Sequence, residues 1–185
     1  MFIFKSAWAL AALLVMPTSA QSAEDLCNKH LPSDLAVGEY TIKFLPGSFS
    51  MRGMAVPMQG DTTPGKISMI NGKLVLTASH SFHAEFVDQN SAIEEWWPED
   101  NVISEVGLQQ TDITLCQTKE NLPRMLADAT GGYFSQDGIK VDTKLGLLVY
   151  NITDKGVFAN GFLTGSGSFN GMQFSLKAPI EIMPR

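Results

Sequence analysis

Ile67-Ser68-Met69-Ile70-Asn71-Gly72-Lys73-Leu74-Val75-Leu76 decides the fold. Two short apolar runs flank a dipeptide whose residues both tolerate positive φ. Asn-Gly in that setting supplies the two central positions of a type I′ turn, the tightest link between antiparallel strands.

The same grammar recurs outward from this hairpin. Upstream, Glu39-Tyr40-Thr41-Ile42-Lys43-Phe44-Leu45 alternates polar and apolar and stops at Pro46-Gly47. Downstream, a second Asn-Gly pair, Asn170-Gly171, separates Ser166–Phe169 from Met172–Leu176. Gln136-Asp137-Gly138 separates Tyr133–Ser135 from Ile139–Val141. Thr153-Asp154-Lys155-Gly156 separates Leu145–Ile152 from Val157–Leu163. Ile113–Leu115 leads into Cys116, and Ala178–Met183 reads as a closing strand. Turns at roughly 8–12-residue spacing imply one mainly β domain, an antiparallel barrel or sandwich.

Two or three short helices are expected beside the strands. Ser91-Ala92-Ile93-Glu94 is a capping box for a helix that stops at Trp97, before Pro98. Asn121 can cap another, with Pro123 in its first turn and Gly131-Gly132 ending it. A third would carry Glu24–His30.

The beginning of the chain bears on location. Lys5, an apolar run from Ala7 to Met16, and Ser19-Ala20-Gln21-Ser22-Ala23 read as a secretory signal peptide over residues 1–23. Cleavage after Ala20 also fits, because Gln21 is large for the minus-three position. The run is too short to span a bilayer, so no membrane anchor is expected after cleavage. Glu24 and Asp25 shortly before Cys27 argue against lipid attachment there. The domain is expected over residues 24–185, exported to a periplasmic or secreted location.

Cys27 and Cys116 are the chain's two cysteines. In an oxidising compartment an even count favours a disulfide, and the absence of CxxC removes the thioredoxin-like alternative. The net charge of the whole chain is −6, and residues 1–23 hold one basic and no acidic residue, so residues 24–185 stand at −7. With no Lys/Arg cluster, nucleic acid is not an expected partner.

Trp96-Trp97-Pro98-Glu99-Asp100 is the leading candidate for a ligand-binding site. Indole rings stack on apolar faces, while Glu99 and Asp100 can accept hydroxyl donors. His83 and Glu85 are two apart in a strand, so they share a face and form a candidate acid/base pair. His80 lies three from His83 in the expected strand, on the opposite face and in phase with Leu74 and Leu76, so it is expected as a buried or rim histidine and, without a β-bulge, should not share a metal with His83. Met51, Met54, Met58 and Met69 offer thioethers, which select Cu(I). Gly53, Pro57 and Gly60 make that segment read as a loop packing apolar side chains onto the domain. No GxSxG, HExxH, Walker or GxGxxG pattern occurs, and three histidines leave little for a triad or closed zinc site. No metal and no cofactor are expected.

The reading is an exported, non-catalytic module that binds a small apolar ligand, a glycan or a partner protein. One alternative is a hydrolase or isomerase using His83 and Glu85. Another is copper handling through Met51–Met58.

Overall fold

The computed structural model describes residues 26–27, 31–87, 107–132 and 140–185. Ten strands run in chain order: β1 (Gly38–Phe44), β2 (Gly47–Met51), β3 (Met54–Met58), β4 (Asp61–Ile70), β5 (Lys73–Ala78), β6 (His83–Phe86), β7 (Arg124–Thr130), β8 (Lys140–Thr153), β9 (Gly156–Phe169) and β10 (Met172–Pro184). A single helical turn, α1 (Ser33–Ala36), precedes β1.

The strands close into an antiparallel barrel. The order β1-β4-β5-β6-β7-β8-β9-β10 returns to β1, where Tyr40 pairs with Pro184 and Phe44 with Ile180. β1 and β2 form one stave bent at Leu45-Pro46, and β3 and β4 form the next, bent at Gln59-Gly60. The ten strands thus make eight staves, each joined to the next in sequence. Closure of β1 on β10 removes the unpaired edges that a sandwich would leave, except along β3, which pairs with β2 alone.

Both Asn-Gly hairpins form as expected. Asn71 and Gly72 have φ of 51° and 79°, and Asn170 and Gly171 have 49° and 74°. Two further tight turns use residues that do not announce themselves: Arg52-Gly53 (53°, 77°) and His80-Ser81 (56°, 55°). The turns at Arg52-Gly53, His80-Ser81 and Asn170-Gly171 share one end, the mouth. Those at Asn71-Gly72 and Asp154-Lys155 mark the other, the base.

Alternation fills the interior. Tyr40, Ile42, Ile67, Leu76, Met125, Leu145, Leu147, Ile180 and Ile182 are fully buried in one cluster. Burying each such side chain stabilises the fold by roughly 1.5–3 kcal/mol. The base is sealed by Tyr40, whose hydroxyl donates to Ala36 O at 2.7 Å and accepts from Val157 N at 3.2 Å. Outside the barrel a second cluster forms. Leu126, Leu148 and Phe162 point outward and are covered by Leu108, Cys116 and Leu122 of the long β6–β7 connection. Cys27 and Cys116 form a disulfide with Cα atoms 5.6 Å apart, tying the start of the domain to that cover.

Three expectations are corrected. The helix after Asn121 is instead a 3-10 turn, Lys119–Asn121, followed by β7. Met125, Ala127 and Ala129 face the interior, while Leu126 joins the outer cluster between Arg124 and Asp128 and so breaks the polar half of the alternation. Long-range pairing with β8 overrides the local cap and glycine signals. The Met51–Met58 segment is the hairpin of β2 and β3, because Pro57 sits on an edge strand where no N–H is required. His80 is exposed in a turn at the mouth, the rim position among its two expected places, and not in a strand. Its carbonyl accepts from Gly132 N at 2.8 Å, which fixes the tight β5–β6 hairpin against the end of β7. Of the other expected helices, Leu26 is helical, while Ser91–Trp97 lies outside the described residues, as does the strand Tyr133–Ser135.

Candidate functional site: an apolar cavity at the barrel mouth

The interior tapers from large side chains at the base to small ones toward the mouth. Ala129, Gly165 and Ala178 occupy inward positions where the lower barrel holds Leu, Ile and Tyr. The β2–β3 hairpin then carries the wall beyond the closed part of the barrel. Registers set its inner face: Phe174 opposite Met51, Leu176 opposite Phe49, Phe49 opposite Val56, and Met51 opposite Met54. Between them Ser48, Ser50, Ser175 and Lys177 point outward. The three-stranded flap is thus apolar inside and polar outside.

The result is a cavity of about 660 Å³. The β2–β3–β10 flap forms one wall. Phe44, Leu163 and Phe82 form the floor and the opposite wall. Phe49 stacks on Phe174 with centroids 5.3 Å apart, and Phe44 meets Phe82 edge-on at 5.9 Å. Met54 and Val56 are 65% and 55% exposed, large values for apolar side chains. β3 is the last strand of the sheet on that side, and the lining runs from it to Ser79 and Phe82 of the β5–β6 connection.

Polar groups are few: Thr63 is buried, while Ser79, Gln59 and Asp61 are exposed at the rim. Thr63 and Ser79 hydroxyls bond to each other, and Gln59 and Asp61 complete the lining where β3 bends into β4. Asp61 is the sole ionisable side chain among the described lining residues. A mostly apolar concavity with a few convergent polar groups at a barrel mouth is the usual form of a small-molecule site.

The expected site residues fall in different places. Trp96, Trp97, Glu99 and Asp100 lie outside the described residues. His83 and Glu85 do share a face, but it is the outer face of β6, away from the described cavity lining. Glu85 is held by Lys73, whose hydrogen bond and charge keep its carboxyl below the usual carboxylate range. Met51 and Met58 line the cavity, with Met54 at the flap tip. Among the described residues no cluster of three His, Cys, Asp or Glu could hold a metal, which leaves the thioethers as the candidate soft ligands.

Phe49, Val56, Phe174 and Leu176 are the cavity residues that sequence reasoning missed. The signal was period-two alternation through Gly47–Met51 and Phe174–Ala178. It was hidden because Arg52-Gly53 does not resemble a hairpin turn and Pro57 suggests a break.

Comparison with known protein families, with curated proteins and with solved structures gave no match.

Proposed function

We propose that this chain is an exported, non-catalytic binding protein whose barrel mouth holds a small apolar ligand. One observation carries the reading: a 660 Å³ cavity walled by a flap that is apolar on its inner face alone. An eight-stave barrel is just wide enough to hold one small ligand once its upper side chains shrink. Leaving Met54 and Val56 in water is costly unless a ligand covers them, since apolar burial contributes about 25 cal/mol per Å². The Cys27–Cys116 bridge supports an oxidising location, in keeping with the leader-like first residues.

The test is titration with N-phenyl-1-naphthylamine, a neutral apolar fluorophore that brightens out of water. Saturable binding of one molecule per chain is expected. Val56→Asp places a charge on the cavity wall at a half-exposed position. It should keep the fold by circular dichroism and weaken the probe by about ten-fold or more, equivalent to ~1.4 kcal/mol. Probe affinity unchanged by Val56→Asp would locate binding elsewhere and refute the cavity reading.

A further inference from the structure

The rings of the cavity bear on the class of its ligand, an inference that rests on the apolar-ligand reading above. We propose that the site takes compact fused-ring aromatic molecules in preference to open alkyl chains of the same carbon number.

The first support is the lining. Phe44, Phe49, Phe82 and Phe174 border one space. They stand as two pairs: Phe49 stacks on Phe174 in the flap, and Phe44 meets Phe82 edge-on across the floor and opposite wall. A ring bound between the pairs can stack on one and meet an edge of the other, and such contacts add to what buried area alone contributes. Met51 and Met58 bring thioethers, which also favour aromatic partners. An alkyl chain gains only buried area from these side chains, while Leu163 and Leu176 serve both ligands alike. The second support is depth. Phe174, Leu176, Ala178, Ile180 and Ile182 are the buried alternate positions of β10. The hollow is lined by Phe174, Leu176 and Ala178 alone, a span of about 13 Å of strand. Beyond them Ile180 and Ile182 are buried with Ile42, Ile67 and Leu145 and fill the barrel axis. A flexible chain gives up the freedom of its rotors to stay within so short a hollow, whereas a fused ring enters with its shape already fixed.

Calorimetric titration of the full chain at pH 7.5 with 1-naphthol, decahydro-1-naphthol and 1-decanol tests this. The three share one carbon number and one hydroxyl, so contacts to the polar rim are held constant. 1-Decanol exposes the most apolar surface, and a pocket that reads area alone binds it tightest. The expected order is the reverse: 1-naphthol tighter than 1-decanol by about five-fold or more, with the saturated bicycle between them. Phe49→Leu removes one ring at a half-buried position and keeps the wall apolar. It should weaken 1-naphthol about five-fold more than it weakens 1-decanol. 1-Decanol binding to the unaltered chain as tightly as 1-naphthol overturns the ring inference, and so does Phe49→Leu weakening both ligands equally. The cavity reading survives either result if N-phenyl-1-naphthylamine still binds and Val56→Asp still weakens it. Failure of that probe to bind at all removes the cavity reading, and this inference with it.

Discussion

Tyr40 and Val157, 117 positions apart, meet at the base of the barrel, where the Val157 amide donates to the Tyr40 hydroxyl at 3.2 Å. The same hydroxyl donates to Ala36 O at 2.7 Å. One buried oxygen thus joins β1, β9 and α1. Tyr40→Phe leaves the ring in place and strands two buried backbone groups. It is expected to lower stability by about 1–3 kcal/mol in chemical denaturation. Probe binding at the mouth should not change, because the substitution lies at the opposite end. A loss below about 0.5 kcal/mol would mean that the two backbone groups find other partners.

The same hydroxyl makes stability depend on alkaline pH. Burial raises the Tyr40 pKa, and the Val157 amide offsets only part of that. The unfolded value is about 10, so the folded state holds the proton more tightly. The stabilisation is complete below about pH 10 and is lost as pH rises from there through the folded pKa. Tyr150 is also raised by burial, so the unaltered chain alone does not isolate Tyr40. The difference between it and Tyr40→Phe does: the two stability curves should run parallel up to about pH 10 and converge above it. Curves that stay parallel beyond that point would contradict the assignment.

The disulfide closes a separation of 89 residues and fixes the cover over the outer cluster. Thiol titration of the denatured, unreduced protein should find no free thiol. Reduction should lower stability by roughly 2–5 kcal/mol, the usual range for a bridge in a small domain. Two titrating thiols in the unreduced protein would sink this account.

Legibility followed how local each signal was. Asn71-Gly72 and Asn170-Gly171 specify their turns within four residues, so the hairpins and the mainly β class were readable. Closure into a barrel was not, because it rests on β1 meeting β10 across most of the chain. β7 escaped because the cap and glycine signals around it read as helical and Leu126, turned to the outer cluster, interrupts its alternation. The cavity escaped for a related reason: Phe49, Val56 and Phe174 come from three strands, and their shared face exists only in register. The Cys27–Cys116 pair was readable from chemistry alone.

Two glycines separate conformational strain from steric conflict. At Gly72 φ is +79° and an added Cβ meets nothing within 4 Å. Gly72→Ala should therefore cost about 1–2 kcal/mol, the penalty of a left-handed conformation, with the fold intact. At Gly161 the added Cβ would lie 1.8 Å from Gly146 O, so β8 and β9 must move apart. Gly161→Ala should cost at least as much, at about 2–3 kcal/mol, despite ordinary φ. Denaturant midpoints of the two variants decide it. A Gly161→Ala protein as stable as the parent would mean that the β8–β9 approach is looser than described.

The methionines distinguish an apolar wall from a soft-metal site. Met51 and Met54 face each other across the β2–β3 turn, and Met58 lies further down the same face. As wall, they contribute volume and apolar surface, which leucine supplies equally well. As copper ligands they contribute sulfur, which leucine lacks. The combined variant Met51→Leu, Met54→Leu, Met58→Leu is therefore expected to bind N-phenyl-1-naphthylamine within about three-fold of the parent, since near-isosteric swaps cost little. Mild peroxide treatment should act in the opposite sense. Met54, at 65% exposure, should oxidise first, and its polar sulfoxide should weaken the probe in the parent but not in the variant. Tight Cu(I) binding by the parent that the triple variant loses, with probe affinity lost alongside, would make the thioethers ligands and replace the apolar-wall reading.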